Sequence, residues 1–126
     1  MEIKGFSWMG IGVEDYPSAV AFFRDVLGLH LAVEDERGVA MMQVAERQVL
    51  EVFGPGTTGH ARCVPPVVAF EVDDVADARN ELMRKNVELV GDFGSWNGFE
   101  WQYFMGPAGM KFAIKKTPSD GWESNS

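Results

Sequence analysis

The sequence predicts an α+β fold made of two copies of one βαβββ unit. Three observations predict it. The segment VEDYPSA around Asp15 recurs as VDDVADA around Asp74, 59 residues later. Each copy follows a short stretch of alternating apolar residues, the period of a half-buried strand. Each copy also opens a run with apolar residues three and four apart, the period of a helix lying on a core. A strand, a helix and three further strands, repeated, is a duplicated unit rather than a single long sheet.

The elements follow in order. Residues 6–13 alternate, with Met9, Ile11 and Val13 on one side. Asp15 then caps a helix, Pro17 stands in its first turn, Val20, Phe23 and Leu27 form its buried stripe, and Gly28 ends it. Strands are expected near 31–34, 39–44 and 48–53, with turns at 36–38 and 45–47. Residues 54–65, GPGTTGHARCVP, read as a linker. VVAFEV at 67–72 is the next strand. A helix capped by Asp73 or Asp74 follows, burying Val75, Ala78, Leu82 and Met83. Strands near 88–91, 101–105 and 111–114 complete the second copy. One domain, 1–116, thus holds modules at about 4–53 and 66–116. Residues 117–126, with Trp122, read as a loose polar tail.

Strand parity separates two faces. Met9, Ile11, Val13, Val68, Phe70 and Val72 should lie under the helices, with Leu50, Val52, Phe104, Phe112 and Ile114. The opposite face carries Trp8, Gly10, Gly12, Val49, Glu51, Phe53, Val67 and Ala69 from the first strands. Trp101, Tyr103, Lys111 and Ala113 join them from the last. Large rings, very small residues and a few charges suit a cavity better than a core. Gly10 and Gly12 would leave room beside Trp8 for something flat.

The composition narrows the function. Nineteen acidic against 11 basic residues give a net charge of −8, and no Lys/Arg cluster suits a phosphate backbone, so nucleic acid is not an expected partner. Cys63 stands alone, which rules out an internal disulfide and suits a small buried side chain in a reducing cytoplasm. The opening MEIKGFSW has no apolar run of membrane or signal length, so no membrane role is expected.

Over residues 4–116 the chain resembles the vicinal oxygen chelate superfamily, which includes glyoxalase I, bleomycin-resistance proteins and extradiol dioxygenases. The likeness rests on GVEDYPSAVAFFRDVLGL, VVAFEVDDVADA and the closing YFMGPAGMKFAI, where Gly106 replaces the usual first Asp of the turn. The resemblance implies two βαβββ modules, one helix each, whose eight strands form a cupped, mostly antiparallel sheet around a ligand. In metal-using members, four inward positions, commonly His and Glu, hold the ion. Carried over, these are Trp8, Glu51, Val67 and Ala113. Only Glu51 has an atom able to ligate. His30 and His60 fall near the end of the first helix and in the linker.

The resemblance therefore implies a binding protein without metal or cofactor, akin to the homodimeric drug-sequestering members. Its expected ligand is a planar, partly cationic aromatic compound, and antibiotic resistance is the corresponding role. Trp8, Glu51, Phe53, Trp101 and Tyr103 would line the cup. Trp96, in the segment GSWNGFEW, would act as a flap hinged at Gly94 and Gly98. Lys115 and Lys116 are expected on the surface. The alternative is a metal-independent isomerase or lyase with Glu51 as general base and Tyr103 or Lys111 steadying an oxyanion.

Overall fold

A computed structural model describes residues 1–119; Trp122 and most of the expected tail lie outside the described residues. The chain forms two compact units: Trp8–Val67, and Met1–Ser7 together with Val68–Ser119. Each holds the expected set of four strands and a principal helix, so the fold is α+β with two βαβββ modules.

In the first unit the strands are β1 (Gly5–Gly12, from Trp8 onward), β2 (His30–Asp35), β3 (Val39–Ala45) and β4 (Gln48–Phe53), in the order β2-β3-β4-β1. The hairpins β2/β3 and β3/β4 are antiparallel, and β4/β1 is parallel. Helix α1 (Tyr16–Ala21) starts where its cap predicts: Asp15 accepts from Ser18 N at 3.1 Å and Ser18 Oγ at 2.9 Å. It does not continue as an α-helix. Residues Phe22–Val26 make a wider π turn, in which Leu27 N donates to Phe22 O at 3.2 Å. The extra residue rotates everything after it. Val20 and Phe23 stay on the core with Ala40, Met42, Leu50 and Val52, but Leu27, expected inside, is exposed.

The expected linker is not structureless. Its middle coils into a short helix, α2 (Thr58–Arg62), and Thr57 Oγ1 donates to Gly54 O at 2.7 Å. Tyr16 braces the same end. Its hydroxyl donates to Glu34 at 2.8 Å, and burial together with that carboxylate pushes the phenol well above its usual range. The Asp35 carboxyl, held by Arg37, is lowered to about 2.

In the second unit β5 (Val67–Glu71), β6 (Leu89–Trp96), β7 (Phe99–Met105) and β8 (Lys111–Lys116) run in the order β5-β8-β7-β6, with β5/β8 parallel and the rest antiparallel. Helix α3 (Val75–Arg84) is capped by Asp74, which accepts from Asp77 N at 2.9 Å. Val75, Ala78 and Leu82 pack with Val72 and Ile114, and Phe104 joins from the sheet. Met83, expected inside, is exposed. Beyond the helix the rings of Phe6, Phe70, Phe112 and Phe104 succeed one another at 5.3, 5.9 and 6.1 Å. Gly106 belongs to this ladder: a Cβ there would meet Phe112 Cδ2 at 2.8 Å, which explains why no Asp opens the turn.

Two details depart from simple alternation. Ser7 and Trp8 are both buried while Phe6 and Met9 are exposed, so the period slips by one residue at the point where β1 passes between the units. The fold also continues past 116. Thr117 is buried, and its N and Oγ1 donate to the buried Glu71 at 3.1 and 3.0 Å.

On α3, the Met1 ammonium and Lys85 Nζ both donate to Glu81, whose pKa is held down to about 2. A depressed folded pKa contributes stability above the unfolded value of about 4.3, which is lost as pH falls towards 2. Glu81→Gln is expected to flatten the acid limb of a Tm-versus-pH curve between those values. An unchanged limb would show that Glu81 titrates normally.

Candidate ligand-binding site

In the first unit the β1/β4 register sets Trp8 beside Val49, Gly10 beside Glu51 and Gly12 beside Phe53. Parity therefore puts Trp8, Glu51 and Phe53 on one face, as the sequence predicts. Trp8 Nε1 donates to Glu51 Oε1 at 2.9 Å, and the Trp8 and Phe53 rings meet edge-on at 6.5 Å and 60°. Trp8 is 5% and Phe53 9% exposed, and Glu51 is half-buried.

The glycines explain how an indole fits on this strand. Trp8 lies directly over Gly10, where a Cβ would run into the ring and sit 2.7 Å from Cys63 Sγ. At Gly12 a Cβ would lie 2.5 Å from the His60 carbonyl and 2.7 Å from Val64 Cγ2. Gly59 of α2 leaves its space to the Phe53 ring. The room that the glycines open is filled by the chain itself: the Trp8 ring, Cys63 and the end of α2. Gly12 N donates to Cys63 O at 3.0 Å, which ties that segment down. Cys63 is buried, as a lone small hydrophobe should be.

In the second unit Trp96 pairs with Phe99, Gly94 with Trp101, Trp101 with Lys115, Tyr103 with Ala113 and Met105 with Lys111. These side chains share one face. Lys115 Nζ lies 5.0 Å from the Phe99 centroid and 5.2 Å from that of Trp101, and Lys111 Nζ lies 5.7 Å from that of Tyr103. All three distances are within cation–π range. Gly94 admits the Trp101 indole, as Gly10 admits Trp8.

Three expectations change here. Trp96 is not in a flap loop. It ends β6, stacks on Phe99 at 6.0 Å and 19°, and is followed by a tight hairpin turn with positive φ at Asn97 and Gly98. Asn-Gly between apolar strands is a strong hairpin signal, and it was legible in the sequence. Lys115 is 5% exposed rather than on the surface, because β8 runs on to Lys116 and parity returns residue 115 to the Ala113 face. Phe99, fully buried, was overlooked; counting back two from Trp101 places it on the same face.

The residues that the resemblance assigns to the family's metal positions do not fit a divalent ion. An indole N–H donates and cannot ligate, and Val67 and Ala113 carry only hydrocarbon. Glu51 is already accepting from Trp8. His30 is exposed at the start of β2 rather than at the end of the first helix, and the His60 ring bonds Glu14 at 2.7 Å. Among the described residues no three His, Cys, Asp or Glu side chains gather.

Two βαβββ modules, each with one helix-bearing face and one face of rings, glycines and charges, define the class: a module-pair protein of the vicinal oxygen chelate fold. The chain belongs to the Glyoxalase/Bleomycin resistance protein/Dioxygenase superfamily, which matches residues 5–114. Among solved structures it is similar to methylmalonyl-CoA epimerase from Mycobacterium tuberculosis, at TM-score 0.71 and 19% identity over 92% of this chain and 90% of that one. A superfamily member from Vibrio splendidus 12B01 gives TM-score 0.62 and 15% identity, with 86% and 96% covered. The Mn(II)-bound glyoxalase from Novosphingobium aromaticivorans gives TM-score 0.69 and 20% identity over 90% of this chain, which spans 39% of that one. At such identities the likeness shows the fold alone. No curated protein matches the chain. None of its helices among the described residues is long and apolar enough to cross a membrane.

Proposed function

We propose that the protein binds a planar aromatic small molecule without a metal ion. The observation that carries this reading is the Trp8 Nε1–Glu51 Oε1 hydrogen bond. By the resemblance, Trp8 and Glu51 fall where metal-using members hold an ion in the first module, and in this reading an indole N–H meets the carboxylate instead. In the second unit half-buried Trp101 and exposed Trp96 offer ring surface for stacking. Each good ring contact contributes about 0.5–1.5 kcal/mol beyond area burial. A positively charged ligand is favoured less than the sequence suggests, because Lys111 and Lys115 already occupy ring faces in the second unit. In this reading the protein is a cytoplasmic homodimer that sequesters its ligand, as drug-binding members of the superfamily do.

The test is a tryptophan-fluorescence titration with neutral, acidic and basic bicyclic aromatics, alongside elemental analysis of the purified protein. Saturable quenching by at least one class, with no stoichiometric metal, is the expected result. A stoichiometric divalent ion, or silence across all three classes, would sink the reading.

One observation favours a second reading. The indole N–H orients a half-buried carboxylate, which is how a general base is held. Several structural neighbours are methylmalonyl-CoA epimerases, and Glu51 would serve a metal-independent isomerase or lyase in the same way. Glu51→Gln, folded as wild type, is then expected to lose about 100-fold or more of any turnover found by screening. Unchanged turnover removes Glu51 from the chemistry.

A further inference from the structure

We infer that α2 is a movable cover over the Trp8 and Phe53 rings, and that the bound compound takes the place of Gly59 against Phe53. The inference rests on the small-molecule reading above and adds how a seat opens in the first unit. Both rings are buried, and residues 59–64 lie against that face. At Gly59 a Cβ would stand 2.3 Å from Phe53 Cδ1, so bare backbone rests on the ring. Cys63 Sγ closes in beside Trp8 over Gly10, and the His60 carbonyl and Val64 Cγ2 press on Gly12. A planar compound offers Phe53 a stacking partner, which a glycine cannot.

The cover is lightly built. Helix α2 has 5 residues, and a helix that short is marginal on its own. Its N-cap, Thr57, makes no capping bond; the hydroxyl turns back to Gly54 O instead. Thr58, Ala61 and Arg62 are exposed, and the side that faces the sheet carries Gly59 and Cys63, both small. Among the described residues, none of 54–65 joins the apolar cluster of Val20, Met42 and Val52. The segment is tied to β1 by Gly12 N, which donates to Cys63 O at 3.0 Å. It is tied to the loop after β1 by His60, which meets Glu14 at 2.7 Å. The Glu14 side chain is 83% exposed, and a pair so open to water holds weakly. Gly54 and Gly56 precede α2, and Gly56 takes a φ of +84°, so the chain can swing there. Little buried apolar contact and solvent-exposed ties are the marks of a segment that opens before the rest of the fold.

The experiment uses the full chain and its single cysteine as reporter. Cys63, the C-cap of α2, is 1% exposed, so iodoacetamide reaches it when the segment lifts. Labelling is expected at least about tenfold faster than global unfolding permits, and nearly independent of low urea, as local opening requires. Glu14→Ala removes a tie and should speed labelling about twofold to fivefold. Gly59→Ala sets a methyl against the Phe53 ring and should speed it about tenfold or more. Amide exchange in β3 and β4 should match wild type in both variants. Free indole, followed at the Phe53 ring resonances, should then bind Gly59→Ala more tightly by the factor gained in labelling, because the open form alone is competent. Labelling with the urea dependence of global unfolding, or Gly59→Ala labelled no faster than wild type, overturns the cover. Faster labelling with unchanged indole affinity overturns the seat against Phe53. Faster labelling with every aromatic of the wider panel silent keeps the cover and overturns the small-molecule reading together with the seat.

Discussion

Trp8→Ala is expected to destabilise the protein by about 3–5 kcal/mol, the range for removing a buried aromatic side chain. The indole is almost wholly buried, covers Gly10, touches Phe53 edge-on and donates to Glu51. Its loss opens a cavity and takes a donor from a half-buried carboxylate. Trp8→Phe separates the two terms, since it keeps most of the ring and removes the N–H; about 1–3 kcal/mol is expected for that change. The geometric claim has a sharper test. Gly10→Ala in wild type forces a methyl into the Trp8 ring and should cost about 1–3 kcal/mol by overpacking. In a Trp8→Ala background the ring is gone and only the contact with Cys63 Sγ at 2.7 Å remains, so the cost should fall. Urea denaturation of the four proteins measures this coupling. Additive effects would mean that the indole does not lie over Gly10.

Gln102→Leu should have the second largest effect, about 2–4 kcal/mol. Gln102 is fully buried on the helix side of β7. Its amide nitrogen donates to Val90 O, Gly91 O and Tyr103 O at 3.3, 3.0 and 2.9 Å, and its oxygen accepts from Arg79 Nε at 2.9 Å. Leucine has similar bulk, so packing changes little. What is lost is the bonding of several polar groups at once, each costing about 1–3 kcal/mol when left buried and unpaired. The register of β6 against β7 shifts between Val90 and Gly94, and Gln102 holds the carbonyls at that irregularity. Local loosening of β6 should accompany the loss, visible as faster amide exchange at residues 89–94. A Gln102→Leu protein as stable as wild type would show that water replaces these bonds at no cost.

Much of the architecture was legible because its signals are local. Asp15 caps the helix it was expected to cap, and of the two candidates for the second helix Asp74 is the cap, since a cap needs only a side chain and an amide two or three residues on. Strand β4 begins and ends where alternation places it. The π turn at 22–26 was not legible: widening a helix by one residue leaves no mark in apolar spacing until the phase has already changed. Nor did alternation reveal the slip at Ser7 and Trp8, where two neighbours are buried together.

By itself the sequence determined the duplicated βαβββ plan and the facing of Trp8, Glu51 and Phe53. These follow from period, repeat and side-chain chemistry, which are properties of neighbours in the chain. Only the tertiary structure decided what fills the space over each glycine and which group each buried charge meets. A glycine states that a side chain is missing; its tenant at Gly10 or Gly12 comes partly from residues about fifty positions away, Cys63 and His60. Contacts over that distance are set by how packed elements meet in space, and no local pattern encodes them.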